Sequence, residues 1–182
     1  MTDGMDKHTL RQIIKERKKG FSIDELIVQS MDTTLKLEKH HLYHAAQTIL
    51  LYNSMPDEVN THGLIASLHK QGRCVLLPRM KNEKELELVR YKGKLSMRTS
   101  ERYNILEPEG EPFTDYESID LAIIPGLAFT LDGERLGRGK GYYDRLLAKM
   151  PTVYKMGLCF PFQIVGTIPT DATDVLMDEV FS

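Results

Sequence analysis

Cysteine occurs only twice in this sequence and tryptophan not at all. Cys74 and Cys159 each lie inside an apolar, strand-like run, which favours buried, reduced thiols of a cytosolic protein over a disulfide framework. Long hydrophobic runs are also missing. The longest, residues 121–129, is broken by Pro125 and Gly126 and falls short of the roughly 18 to 20 residues that cross a bilayer. Residues 1–7 contain acids and lack the apolar centre of a targeting peptide, so neither secretion nor organelle import is signalled and a cytoplasmic location is expected. Charge of one sign is not in excess either: 24 Lys and Arg stand against 26 Asp and Glu, a formal net charge of -2. No global basic field draws nucleic acid, and any anion site must be a local cluster. Repeats, linkers and low-complexity tracts are absent. What remains is 182 residues with 41% hydrophobic and 27% charged side chains, the profile of one globular domain, 1–182, with a single sizeable core.

The order of patterns along the chain indicates the fold class. Over residues 7–19, Leu10, Ile13 and Ile14 recur at helical spacing beside a basic stripe of Lys7, Arg11, Lys15 and Lys18, and Gly20 should end that helix. Phe21, Ser22, Glu25 and Leu26 read as a capping box with a hydrophobic staple opening a second helix that runs to about Lys39. Residues 46–53 form the first core strand, and Asn60 can cap a helix carrying Leu64, Ile65 and Leu68. Gly72 ends that helix and residues 73–78 form another buried strand, completing a βαβ unit. Residues 85–91 and 95–98 read as a hairpin about Lys92-Gly93. Residues 119–126 form a buried strand, a glycine-rich basic loop follows, then a helix over 142–150 and a last apolar strand over 153–160. Strands alternating with helices imply an α/β protein, a three-layer α/β/α sandwich with a mostly parallel mixed sheet, whose ligands sit beyond the strand C-termini.

The most informative segment is Asp132-Gly133-Glu134-Arg135-Leu136-Gly137-Arg138-Gly139-Lys140-Gly141-Tyr142-Tyr143-Asp144. Alternating glycines let backbone amides approach an anion without Cβ obstruction, and Arg135, Arg138 and Lys140 supply the charge that a polyanion needs. The loop is neither a P-loop, since Gly141 follows Lys140 where Ser or Thr is required, nor a dinucleotide fingerprint, since its glycines run G-x-G-x-G. Asp144 could hold Mg²⁺, a hard cation that needs only one or two carboxylates beside substrate phosphates, and Asp178 is a candidate second ligand. Glu58 could accept hydrogen bonds from a ligand's ring nitrogens, with Tyr52, Tyr103 and Tyr142 offering stacking faces. Lys7 and Arg11 could reach a phosphate, or be a solvated helix face. His40, His41 and His44 lack an acid or cysteine at ligand spacing and read as a helix-terminal cluster rather than a metal site.

Taken together, these segments resemble the 5-formyltetrahydrofolate cyclo-ligase family, also called 5,10-methenyltetrahydrofolate synthetase. The resemblance spans nearly the whole chain. It rests on Lys7-x-x-x-Arg11, Tyr52-Asn53-Ser54-x-x-x-Glu58, Leu77-Pro78-Arg79, Pro125-Gly126-Leu127-Ala128-Phe129, the glycine loop through Asp144, and the ending Asp178-Glu179-Val180. It implies an ATP- and Mg²⁺-dependent cyclisation of 5-formyltetrahydrofolate to 5,10-methenyltetrahydrofolate, with ADP and phosphate released. The formyl oxygen attacks the γ-phosphate, and N10 then captures the phosphorylated imine-like intermediate. By the same resemblance Lys7, Arg11, Arg135, Leu136, Gly137, Arg138, Gly139, Lys140, Gly141, Tyr142 and Tyr143 contact ATP. Asn53 and Glu58, with Arg138 to Tyr142, contact the folate, and Arg79 is an addition to the site. Asp144 and Asp178 hold Mg²⁺, and Arg138 and Lys140 act as transition-state clamps. The expected partner is a small-molecule folate, with or without a polyglutamate tail, bound by a monomer or weak homodimer that contacts neither membrane nor nucleic acid.

The chain departs from the family at Tyr103, which stands before Asn104-Ile105 where the family commonly has tryptophan; weaker stacking is implied there. Two other classes fit the loop: a non-catalytic sensor of a phosphorylated ligand, and a sugar-phosphate isomerase of similar build that works without ATP.

Overall fold

The structure, a computed structural model, describes residues 6–100 and 105–182; Tyr103 and Asn104 lie outside them. Asp6 caps the first helix α1, Lys7–Lys18, its carboxylate accepting from Thr9 N at 2.7 Å. Ser22 and Glu25 form the expected reciprocal capping box and open α2, Ile23–Glu38; Phe21 stacks on Phe162. A short helix α3, His41–Ala45, precedes strand β1, Thr48–Leu50. Helix α4, His62–Lys70, takes Thr61 rather than the expected Asn60 as its N-cap residue; Asn60, one position earlier, accepts from His62 N through Oδ1 at 2.9 Å. Gly72 turns the chain at φ 81° into β2, Cys74–Met80. Then come β3 (Leu86–Arg90), β4 (Met97–Thr99), β5 (Leu106–Pro108), β6 (Pro112–Phe113) and β7 (Leu121–Pro125). A two-stranded ribbon of β8 (Ala128–Phe129) and β9 (Arg135–Leu136) leads through the glycine loop to α5, Tyr142–Leu147. Strands β10 (Tyr154–Leu158) and β11 (Glu179–Phe181) finish the chain.

Seven strands form the central sheet in the order β11-β10-β7-β1-β2-β3-β6. The first five are parallel; β3 runs antiparallel to β2, and β6 antiparallel to β3. The chain moves away from the central β1/β7 pair in both directions, through α4 to β2 and through α5 to β10. That reversal opens a crevice at the strand C-termini. Alternation along the strands feeds two cores. Ile49 and Leu51 pack with Leu37 of α2 and Leu64, Ile65 and Leu68 of α4; Leu50 and Ile124 pack with Leu146 and Leu147 of α5. Every residue of β7 is buried, as a strand covered on both faces requires. The expected three-layer α/β/α arrangement with a mostly parallel mixed sheet is therefore what forms. Helix α1 closes one end, its Leu10 and Ile14 resting on Ala128, Leu136 and Ile168.

Several local expectations change. Residues 85–91 and 95–98 do not pair as a hairpin: β3 lies between β2 and β6, and β4 pairs with β5 instead. Gly93, at φ 106°, leads into a 3-10 turn over Lys94–Ser96, and Leu95, whose apolar side chain suggested a strand, is 93% exposed. The ladder of the first strand is limited to β1, although Leu51 and Tyr52 beyond it stay buried. Strand β11 is an addition after the apolar run that was expected to be last. Cys159 is buried and Cys74 half-buried, both free, and burial pushes the Cys159 thiol up to about 12. His40 Nε2 lies 3.2 Å from Glu179 Oε2 and its ring 4.5 Å from that of His41. Among the described residues no trio of His, Cys, Asp or Glu is grouped to hold a metal, and no helix is long and apolar enough to cross a membrane.

Candidate functional site

Beyond the ends of β1, β2 and β7 lies a cavity of about 970 Å³. Its floor is where each strand stops: Tyr52 and Asn53 after β1, Pro78 and Met80 on β2, Pro125 at the end of β7 and Gly126 after it. One wall is apolar, built from Met55, Met80, Leu86, Ile105 and Leu106. Another wall is the glycine loop with the N-terminus of α1, which brings Lys7 and Arg11 to the same space as Arg135, Arg138 and Lys140.

These cations are held in different ways. Arg135 is the most deeply set, its side chain 3% exposed. It donates from Nη2 to Asp144 Oδ1 at 2.9 Å and from Nη1 to Pro125 O at 3.3 Å, with its guanidinium 5.6 Å from the Tyr143 ring centre. Lys7 binds Asp171 and Asp174 at 2.6 and 2.5 Å. Burial is the largest single effect and pushes the Asp174 carboxyl up, but the hydrogen bonds from Lys7 and the Asp171 backbone, together with the charges of Lys7 and Arg135, outweigh it and hold the group below the usual carboxylate range. Arg138 donates from Nη2 to Asp57 Oδ1 at 2.9 Å and to Glu58 Oε1 at 3.1 Å. Arg11 donates through Nε to Gly137 O at 2.9 Å. Neither Arg11 nor the Lys140 ammonium has a carboxylate partner among the described residues, so this wall presents unneutralised positive charge. Gly139 has φ 95°, and a Cβ there would lie 3.4 Å from the Arg11 guanidinium carbon. Glycine thus lets the loop pass against α1.

Glu58 lines the same cavity. Its side chain is 13% exposed, and its Oε2 accepts from Met55 N at 2.9 Å. Burial pushes its carboxyl above the usual range, more than the Met55 hydrogen bond and the charge of Arg138 pull it down. Asn53 donates through Nδ2 to Leu106 O at 3.2 Å, fastening the apolar wall to the end of β1. Tyr142 lines the cavity with its hydroxyl on Glu83 O at 3.0 Å, and Tyr52 donates to Val59 O at 3.0 Å. Burial raises the Tyr143 and Tyr52 phenols well above their ordinary value, which keeps both neutral.

The cavity therefore brings together Lys7, Arg11, Asn53, Glu58, the run Arg135, Leu136, Gly137, Arg138, Gly139, Lys140, Gly141, Tyr142 and Tyr143, and Asp144. Asp178 is not among its lining residues. Its Oδ2 accepts from Lys155 N at 2.7 Å and its own N donates to Lys155 O. The expected pairing of Asp178 with Asp144 is corrected by β11, whose register Met156↔Glu179 sets Asp178 beside the start of β10, the sheet end away from the cavity. Arg79 also points elsewhere, to Glu87 and to the carbonyls of Pro108 and Gly110, because strand alternation gives the cavity its neighbours Pro78 and Met80. Conversely, Asp171 and Asp174 line the cavity without having been foreseen; they lie over 160 positions from Lys7, in a segment with no motif.

A family model described as the 5-formyltetrahydrofolate cyclo-ligase family matches residues 3–182. A Mus musculus protein named 5-formyltetrahydrofolate cyclo-ligase is 36% identical over 186 residues, covering 96% of this chain and 92% of its own. The solved 5,10-methenyltetrahydrofolate synthetase of Aquifex aeolicus superposes with a TM-score of 0.84 at 30% identity, over 97% of this chain and 89% of that one. The corresponding synthetase of Mycoplasma pneumoniae gives 0.77 at 26% identity, over 97% and 98%.

Proposed function

Because the chain belongs to the 5-formyltetrahydrofolate cyclo-ligase family, we propose how its cavity carries out the reaction of that family. The protein is an ATP-dependent ligase of one-carbon folate metabolism, converting 5-formyltetrahydrofolate to 5,10-methenyltetrahydrofolate with release of ADP and phosphate. The observation that carries the assignment of roles is a single cavity lined by a cationic glycine loop, a group of apolar side chains and a buried carboxylate.

ATP lies along the loop, its phosphates answering the unneutralised Arg11 and Lys140, with Lys7 and Arg135 through Tyr143 around them. The folate lies against the apolar wall, where Asn53 and Glu58 orient the pterin. Glu58 suits ring N–H donors because a carboxylate drawn from water forms stronger hydrogen bonds than an exposed one. In the first step the formyl oxygen bonds to the γ-phosphorus and the bond to ADP breaks. In the second, N10 bonds to the formyl carbon, phosphate leaves with the former formyl oxygen, and the N10 proton passes to the departing phosphate. Phosphoryl transfer needs positioning and neutralised charge more than covalent help, and Arg138 and Lys140 supply both as transition-state clamps. Shielding by the apolar wall strengthens those contacts and keeps water from the intermediate.

Asp144 fits Mg²⁺: it lines the cavity, and with Oδ1 committed to Arg135 and Val175 N, its Oδ2 is uncommitted among the described residues. Mg²⁺ there would supply charge neutralisation along the phosphates, needing only one or two protein carboxylates. Reduced thiols favour the cytoplasm, and the finer partner reading is a monomer or weak homodimer taking folates with or without a polyglutamate tail.

The test is growth of methenyltetrahydrofolate absorbance from 5-formyltetrahydrofolate with ADP release, each with and without MgATP. Turnover that needs both substrates and metal supports the reading. ADP release indifferent to folate, or binding without turnover, would favour a phosphate sensor instead.

A further inference from the structure

Arg138 has to serve the phosphates, yet its Nη2 is shared between two carboxylates, Asp57 Oδ1 at 2.9 Å and Glu58 Oε1 at 3.1 Å. The second belongs to the group that orients the pterin. A folate that occupies Glu58 therefore removes one of the two anionic supports that the arginine has among the described residues, just when the arginine has to be in place. Asp57 is the support that remains. It is not part of the cavity wall, so it cannot be consumed by the incoming substrate. Its other oxygen faces Lys18 of α1 at 3.8 Å, which ties the loop cation to the helix that carries Lys7 and Arg11.

We propose that Asp57 is a positioning residue for the reaction: it keeps the Arg138 guanidinium over the phosphates when the folate displaces it from Glu58. The proposal rests on the roles given to Glu58 and Arg138 above. Stability is a poor explanation for this pair, since the side chains of Asp57 and Arg138 are 34% and 45% exposed and ion pairs that open to water contribute little to folding. Without Asp57, Glu58 is the arginine's one remaining carboxylate among the described residues. The folate then competes against an undivided Arg138–Glu58 pair, while the nucleotide still meets the other cations of the wall, Lys7, Arg11 and Lys140. Linkage makes the consequence reciprocal, because whatever strengthens the Arg138–Glu58 pair weakens folate binding by the same factor.

The experiment compares Asp57→Asn, Asp57→Glu and Glu58→Gln by steady-state kinetics with each substrate varied, alongside thermal melting. For Asp57→Asn the KM for 5-formyltetrahydrofolate is expected to rise about tenfold, kcat to fall, the KM for ATP to stay within about twofold and melting to be unchanged. Asp57→Glu is expected to restore most of the folate KM. Wild-type kinetics in Asp57→Asn, or folate and ATP KM values rising together without rescue by Asp57→Glu, would overturn the proposal while leaving the site reading intact. Wild-type turnover in Glu58→Gln would overturn both.

Discussion

Arg135 Nη2 lies 2.9 Å from Asp144 Oδ1 while the arginine side chain is 3% exposed, so a guanidinium from the ribbon before the loop is neutralised from the first turn of the helix after it. Its Nε is buried and has no hydrogen-bond partner among the described residues, so Asp144 is the anion that the charge relies on there. Asp144→Ala leaves a buried cation without its carboxylate and is expected to destabilise the fold by about 3 kcal/mol or more. Asp144→Asn keeps an acceptor and is expected to lose less. Urea unfolding of the two variants measures the difference, and equal midpoints for both and wild type would contradict it.

Two glycines of the same region should fail in different ways. A Cβ at Gly133, where φ is 93°, would lie 2.1 Å from Met177 O, and that oxygen belongs to backbone. Gly133→Ala therefore has to move the chain and is expected to unfold well below the wild-type temperature. At Gly139 the nearest atoms belong to the flexible Arg11 side chain, 3.4 Å away. Gly139→Ala is expected to fold, with positive-φ strain of about 1 to 2 kcal/mol, and to show a raised KM for ATP. Melting curves paired with ATP-dependent kinetics separate the two cases.

Much of this was legible in the sequence because its causes are local. The capping box at Ser22 and Glu25 and the buried strand at Leu121–Pro125 each act within a few residues, and each forms as read. The cations and glycines of the loop could likewise be assembled from one contiguous segment. Strand pairing is different, since it depends on partners distant in the chain. Nothing near Leu95 announces that β3 will take β6 as a neighbour. Nor does anything near Asp178 reveal that β11 will dock on β10 and carry the carboxylate away from Asp144. Asp171 and Asp174 enter the cavity because Lys7, from the opposite end of the chain, draws them in.

Glu58 offers a pH test. Burial raises its carboxyl above the ordinary value. A carboxyl raised in the native state contributes stability below its unfolded pKa and loses it as pH rises through the native value, so at neutral pH its charge costs stability. Glu58→Gln removes that cost. At pH 7 the variant is expected to melt no lower than wild type, and the difference is expected to fade below about pH 4, where both side chains are neutral. Turnover, by contrast, is expected to fall by about tenfold to hundredfold, since an amide offers a pterin N–H an unmatched donor. A variant that melts lower at pH 7 than at pH 4 relative to wild type would reverse the sign argued here.

The central claim is that the glycine loop grips the phosphates of ATP beside the folate, and Lys140 is its most direct probe, because its ammonium has no carboxylate partner among the described residues to mask the effect of removing it. The measurement is kcat for methenyltetrahydrofolate formation by Lys140→Ala under saturating MgATP and 5-formyltetrahydrofolate, with folding checked by circular dichroism. A loss of about a hundredfold or more in a folded protein is expected; turnover at the wild-type rate would contradict the account.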